Sequence, residues 1–356
     1  MEAMINEIKI VTRHYAKAAD SKIASLYFGG GTPSLLTTDE IKKLLDVVYQ
    51  YFKVSDDAEI TLEANPDDIT EKKLDEWKLI GINRFSTGIQ SFKQEDLVWM
   101  NRAHNAEQAL HCIQLIKNAG FHNYSVDLIY GTPTLSDEDW KKNVQTIIDL
   151  DVPHISCYAL TVEPKTALQK MIHLKQEKEV NAEKQASQFL LLMNWLKDAG
   201  YEHYEISNFA KPGYRSRHNS SYWQNKSYTG IGPSAHSFDG NCRRWNVSNN
   251  AAYIQSLKKN IIPFEEEKLS EIQKLNEYIM TSLRTIEGID LDFIKEEFGE
   301  LKSDILKAAS LKYFNNYQSL SLIKGDVNQK LILTDEGKLF ADGIAAEFFF
   351  EEQIKI

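Results

Sequence analysis

Apolar positions recur along this chain in two rhythms that take turns. Short runs with alternating or continuous apolar residues read as strands: Ala24 to Phe28, Ala58 to Glu63, Ile82 to Gln90, Tyr124 to Ile129, His154 to Leu160 and Tyr204 to Ile206. Between them the spacing changes to three and four. Ile41, Leu44, Leu45 and Val48 form one helical stripe, preceded by a capping box at Thr37 and Glu40, and Thr70 to Ile80 and Ser136 to Leu150 read as two further helices. One phrase repeats: a helix ends in glycine and leads straight into a strand, at Gly81, at Ala119-Gly120-Phe121 and at Ala199-Gly200-Tyr201. Glycine takes the left-handed conformation at a helix end at least cost. The repeated unit predicts an α/β architecture with parallel strands, either a doubly wound sheet or a (β/α) barrel. Both place ligands at the carboxyl ends of strands.

The pattern differs at the two ends of the sequence. Met1 to about Ala19 has helical spacing through Met4, Ile8 and Val11, with no capping residue before it. From Gly213 the periodicity weakens into a polar, aromatic, glycine-bearing stretch, a texture common in functional loops. Beyond Ala251 the sequence turns helical, clearest over Glu271 to Arg284, with Leu291 to Phe298 and Ser303 to Ala309 shorter. Ser319 to Ile323 and Lys330 to Leu333 read as two short strands before a last helix near Glu336, a winged-helix-like appendage. The expected organisation is a barrel-type domain over 1–212, a loop-rich segment over 213–250 and a mainly helical domain over 251–356.

Composition narrows the function. The 356 residues include 51 acidic and 41 basic side chains, a net charge of −10 that argues against a nucleic-acid partner. No apolar run reaches transmembrane length and no signal-peptide pattern opens the chain, which predicts a soluble, cytoplasmic protein. Peripheral membrane association stays open. Cys112, Cys157 and Cys242 are far apart, neither a disulfide framework nor a local metal motif.

Candidate chemistry gathers at strand ends. Ser25-Leu26-Tyr27-Phe28 stops in Gly29-Gly30-Gly31, followed by Thr32-Pro33-Ser34. Such glycines form either a tight turn or a backbone cradle for a ligand, with Thr32 and Ser34 adding hydroxyls at its rim. Glu63, Gln90 and Tyr158-Ala159 lie at the ends of other strands. Asp127 sits among apolar neighbours in Val126-Asp127-Leu128-Ile129-Tyr130, where an ionised carboxylate needs a partner: a ligand, a helix terminus or a buried cation. Arg102 suits bidentate carboxylate binding but could equally be a surface arginine. His218, with Tyr222 and Trp223, could line a flat aromatic site with an axial imidazole, or could simply tie a loop.

Together, Gly29 to Ser34, Glu63-Ala64-Asn65-Pro66, Gly88-Ile89-Gln90-Ser91-Phe92, Asn101-Arg102, Val126 to Gly131 and Ser234-Ala235-His236-Ser237 resemble the radical S-adenosylmethionine (SAM) proteins related to oxygen-independent coproporphyrinogen III oxidase. The resemblance spans nearly the whole chain and implies a partial (β/α) barrel lacking its first strand. It implies SAM binding at Gly30, Gly31, Thr32, Glu63, Gln90, Arg102 and Asp127. His218-Asn219-Ser220-Ser221-Tyr222-Trp223 is similar to the His-Asn-x-x-Tyr-Trp motif of the family's heme chaperone branch, which makes His218, Tyr222 and Trp223 heme candidates and a heme-accepting protein an implied partner. An oxidase acting on a porphyrinogen and a degenerate barrel serving as an interaction module are the competing functions.

One departure is large. The family's Cys-x-x-x-Cys-x-x-Cys, which holds a [4Fe-4S] cluster, is absent from this sequence. The resemblance therefore implies a cluster that this chain is expected not to assemble, and the uncapped opening helix matches the one that follows the cluster loop, as a truncation would leave it.

Overall fold

The computed structural model describes residues 1–14, 22–314, 321–326 and 328–351. Its central element is a seven-stranded sheet. In chain order the strands are β1 (Ile23–Phe28), β2 (Val54–Ala64), β3 (Arg84–Gln90), β4 (Tyr124–Tyr130), β5 (His154–Ala159), β6 (Glu202–Glu205) and β7 (Asn208–Ala210), ordered β1-β2-β3-β4-β5-β7-β6 in space. Strands β2 to β5 pair in parallel, joined through helices, as a partial barrel. The helices are α1 (Glu2–His14), α2 (Thr38–Tyr51), α3 (Glu71–Leu79), α4 (Gln94–Trp99), α5 (Ala106–Asn118), α6 (Asp137–Asp149), α7 (Ala167–His173) and α8 (Ala182–Asp198), with α3 and α6 within a residue of the bounds expected from Thr70 to Ile80 and Ser136 to Leu150. The Thr37/Glu40 capping box is present at α2, and Thr70 and Ser136 cap α3 and α6. The remainder of the expected first helix, 15–19, lies outside the described residues.

Side-chain alternation separates the two faces of the sheet. On β3, Phe85, Thr87 and Ile89 are buried while Ser86, Gly88 and Gln90 are half-buried; on β4, Val126, Leu128 and Tyr130 are buried while Asp127 is half-buried. The apolar set packs under the helices, with Phe85 tilted against Trp77 at 5.6 Å and edge-on to Phe121 at 4.7 Å. The polar set, with Glu63 beside Ser86 and Asp127 beside Ser156, occupies the opposite face.

Two expectations are corrected here. The last glycine-fed strand does not continue the parallel sheet: β6 pairs antiparallel with β7, which in turn lies antiparallel to β5. The three-residue return strand Asn208–Ala210, wholly buried, is too short to leave an alternation in the sequence. The stretch expected to be irregular contains α9 (Arg217–Trp223), β8 (His236–Phe238) and β9 (Cys242–Asn246), and β10 (Phe264–Lys268) follows α10 (Asn250–Leu257). These strands form an antiparallel sheet in the order β10-β9-β8. Two consecutive arginines hide the alternation in β9, because the guanidinium groups of Arg243 and Arg244 lie over the rings of Phe238 and Phe264. Edge strand β10 exposes all five of its side chains, three of them consecutive glutamates.

Beyond it, α11 (Glu271–Leu283), β11 (Ile289–Asp290), α12 (Leu291–Phe298), α13 (Glu300–Phe314), β12 (Ile323–Lys324), β13 (Lys330–Leu333), α14 (Asp335–Lys338) and α15 (Ala341–Glu347) complete the described chain. The three short strands pair as β11-β13-β12. Leu322 and Ile323 of the first expected terminal strand are buried, and 315–320 lie outside the described residues. No helix of the described residues is long and apolar enough to cross a membrane. By internal contacts the chain forms two units: Met1–Leu26, Thr37–Glu59 and Arg217–Ile356 in one, Tyr27–Leu36 and Ile60–Ser216 in the other.

Candidate functional site

The glycine loop after β1 needs glycine for two separate reasons. Gly30 and Gly31 have φ of 77° and 70°, left-handed values that strain any other residue, and a Cβ there would meet nothing within 4 Å. Gly29 needs space: its Cβ would lie 2.6 Å from the Tyr27 ring and 2.9 Å from Glu63 Oε1. Glu63 anchors the loop by accepting bonds from the Tyr27 hydroxyl at 2.7 Å and the Gly30 amide at 3.2 Å. Thr32 precedes a short 3-10 turn without capping it through its side chain. Ser34 donates to Asp68 at 2.6 Å, fixing the loop's far end to the segment after β2. Main-chain groups at Gly30 and Gly31 thus border open space on a fixed frame.

A second group forms where β3 ends. Gln90 has φ of 65°, rare for a residue with a side chain, and the Ser91 amide donates back to the Ile89 carbonyl at 2.8 Å. A two-residue return around a positive φ is the strained form of γ-turn. The pairing of β3 with β4 shifts register here, between Thr87 and Gln90. Arg102 reaches the same corner. Its Nη2 lies 3.4 Å from both the Gly88 carbonyl and Asn65 Oδ1, and a Cβ on Gly88 would sit 2.7 Å from Gln90 Nε2 and 3.4 Å from that same Nη2. Burial lowers the Arg102 pKa, opposed by the charges of Asp67 and Asp127. Arg102 is therefore no ordinary surface arginine.

Asp127 on β4 faces the polar side of the sheet. Its Oδ1 has neither solvent contact nor a hydrogen-bond partner within the protein. Burial, reinforced by the Glu63 charge and opposed chiefly by Ser156, pushes its pKa up to about 6. Burial and the Glu63 charge likewise raise Tyr27. The buried Arg84 charge lowers the Asp127 pKa, a partial answer to the buried-cation alternative, but it leaves Oδ1 without a hydrogen bond. Glycine loop, Glu63, Gln90, Arg102 and Asp127 all fall in the unit that includes Ile60–Ser216.

His218, Tyr222 and Trp223 belong to α9, in the other unit. Glu59 of β2, itself buried, accepts from the Arg217 amide at 3.1 Å through Oε2 and from the His218 amide at 3.0 Å through Oε1. Arg217 also donates to the Asp57 carbonyl at 2.6 Å. The His218 ring bridges Ser25 Oγ at 3.0 Å through Nδ1 and the Tyr222 hydroxyl at 3.0 Å through Nε2. Tyr222 is 39% exposed and edge-on to Tyr228. Trp223 lies against the Arg284 guanidinium at 5.4 Å. One helical turn brings the first two of these residues together, while Trp223 is engaged with α11's terminal arginine.

Sequence reasoning missed Glu59, Tyr27 and His104. The alternation Glu59-x-Thr61-x-Glu63 puts both carboxylates on one face of β2, a signal that was available. Buried His104 left no sequence signal of its own: its Nε2 meets the Ile89 carbonyl at 3.0 Å.

A sequence model of the Radical SAM superfamily matches residues 7–147. Over longer spans the chain is 30% identical to the heme chaperone HemW of Bacillus subtilis, covering 98% of this chain and 90% of that protein. It is 32% identical to HemW of Mycobacterium tuberculosis H37Rv, over 92% of this chain and 81% of the relative. In fold it matches the coproporphyrinogen III oxidase HemN of Escherichia coli, with a TM-score of 0.81 at 22% identity, covering 98% of this chain and 82% of that one. The chain belongs to the radical SAM family, within the group that includes HemW, and shares its fold with HemN.

That family implies SAM and a [4Fe-4S] cluster, and the residues present answer differently to each. An orphaned acceptor at Asp127, open backbone at Gly30 and Gly31, and a guanidinium at the same face fit a SAM-like ligand with hydroxyl, amino and carboxylate groups. The cysteines do not fit a cluster. Burial pushes the Cys112 thiol up to about 12 and Cys157 well above its ordinary value, which disfavours the thiolate that iron requires. Cys242 stands on β9, and among the described residues no group of three or more His, Cys, Asp or Glu could hold a metal ion.

Proposed function

We propose that this chain binds heme and SAM and hands heme to an acceptor protein, the role that its heme chaperone relatives suggest. The observation carrying the heme reading is α9, whose exposed Tyr222 and bridged His218 stand on a helix anchored by Glu59. Binding iron through His218 Nε2 exchanges the Tyr222 bond for the metal, while Ser25 on Nδ1 keeps the ring oriented. For SAM, Gly30 and Gly31 receive the methionine amino group with Glu63 behind them and the Thr32 hydroxyl alongside. Arg102 pairs with the carboxylate, a ribose hydroxyl donates to Asp127 Oδ1, and Gln90 borders the ribose. Heme titration read in the Soret band, parent against His218→Ala, tests the heme reading. The parent is expected to bind and the variant to weaken about tenfold or more; no binding by either defeats it.

The cysteine chemistry favours one further reading, a cluster-free barrel that binds SAM without cleaving it or serves only as an interaction module. Anaerobic iron–sulfur reconstitution is expected to leave this chain without a stoichiometric cluster, and uptake of a full cluster's iron would refute that. Calorimetry then separates SAM binding from a pure interaction role.

A further inference from the structure

Ile89 is the residue before the strained Gln90, and its carbonyl accepts two bonds: from the Ser91 amide at 2.8 Å and from His104 at 3.0 Å. A carbonyl only accepts, so His104 Nε2 must carry the proton. Nδ1 is then the unprotonated nitrogen, and it is buried with no partner. Burial, followed by the Arg102 charge, lowers the His104 pKa below its ordinary value, although the Ile89 bond and Asp67 oppose this. A neutral, single-tautomer histidine with an orphaned nitrogen gains little as a polar core residue. Its one bond joins the turn carrying Arg102, two residues earlier, to the strand end carrying Gln90, one residue after Ile89. The turn needs such a tie: Asn101 also has a positive φ, 54°, so residues on both sides of the bond sit in sparsely populated conformations.

We propose that His104 is a positioning residue for the Arg102 guanidinium: through Ile89 it clamps two strained turns so that Arg102 is held where the carboxylate of an amino-acid-bearing nucleoside can meet it. The assignment rests on the SAM reading above, but the clamp itself does not.

The Nε2 of glutamine superposes on that of histidine, whereas the asparagine amide falls near Nδ1. His104→Gln should therefore keep the clamp and His104→Asn should lose it, at similar cost to the fold. By calorimetry His104→Asn is expected to weaken SAM about tenfold or more, with His104→Gln within about threefold of the parent. Methylthioadenosine, which has no methionine carboxylate, is expected to change less than about threefold in both. Parallel losses of both ligands, or equal SAM affinity in the two variants, would overturn the proposal. If the parent binds neither ligand, the SAM reading fails, and hydrogen exchange at the Ser91 amide decides the clamp: faster in His104→Asn than in His104→Gln supports it, equal rates refute it. Should a variant not fold, nitrogen-15 NMR of the parent is decisive. An Nδ1–H tautomer at neutral pH, which leaves Nε2 with no proton to donate, is incompatible with the clamp.

Discussion

Glu7 and Asp127 are two carboxylates whose pKa values burial raises, one in each unit, and they differ in how their oxygens are spent. Glu7 on α1 is 1% exposed and bonded at both oxygens from within: the Gly232 amide donates at 2.8 Å, Asn246 Nδ2 at 2.6 Å and the Tyr253 hydroxyl on a short bond. Around it, Ile10, Tyr253 and Leu257 form an apolar cluster with Met4 and Val247. Asp127 has an oxygen left over. A carboxylate with both oxygens bonded by its own chain is stitching; one with a buried, unbonded oxygen has an acceptor to spare.

Breaking Glu7 should have the larger consequence. Glu7→Ala strips three donors of their acceptor at once and is expected to cost about 3–5 kcal/mol, at about 1–3 per stranded donor with partial relief by water. Urea unfolding measures it; a loss below about 1 kcal/mol would mean the network contributes no net stability.

Asp127→Asn should act in the opposite direction. Its folded pKa of about 6 stands above the ordinary 3.8, so between those values the folded state binds more protons than the unfolded chain. Stability from this group is complete below about 4 and lost as pH rises through about 6. Replacing it by the neutral isostere should add up to about 3 kcal/mol at pH 7 and close to nothing at pH 4. SAM binding should weaken at pH 7, where the amide is the poorer acceptor, and differ little at pH 4, where the parent's acid is already neutral. Unfolding curves at the two pH values check the first claim, calorimetry the second; a variant less stable than its parent at pH 7 would make Asp127 stitching too.

Glu59 sharpens the comparison at smaller scale, because both of its oxygens are also taken, here by the first amides of α9. Glu59→Gln turns one acceptor into a donor facing an N–H and should cost about 1 kcal/mol. Hydrogen exchange at the Arg217 and His218 amides should rise with it. Unchanged exchange would show that α9 is held by other contacts.

Much of the barrel was legible because each strand was bounded by its own signals: the Thr37 cap, the glycines at 81 and 120, the alternation in Ile82 to Gln90. The site was legible where a residue type was costly in its setting, as at Asp127 among apolar neighbours and at Gly30 and Gly31. Positions whose role depends on a distant partner were not. His104 looks like any histidine until the Ile89 carbonyl stands opposite it. Strand β7 is three residues long, and β9 carries two consecutive arginines that lie over aromatic rings on its neighbours. Period counting cannot see a strand shorter than two periods, or a cation lying on a ring.

Edge strand β10 has a consequence outside binding and folding. Its neighbour β9 takes up one side of its backbone, while all five side chains face water. Glu265, Glu266 and Glu267 bond to Trp245, Arg244 and Gln273, so their charges are held along the strand rather than left to wander. Two molecules meeting edge to edge there would bring six carboxylates into register, which discourages sheet extension between copies. Crowding in concentrated solution is a condition under which those three glutamates gain a second role, keeping the edges of neighbouring copies apart.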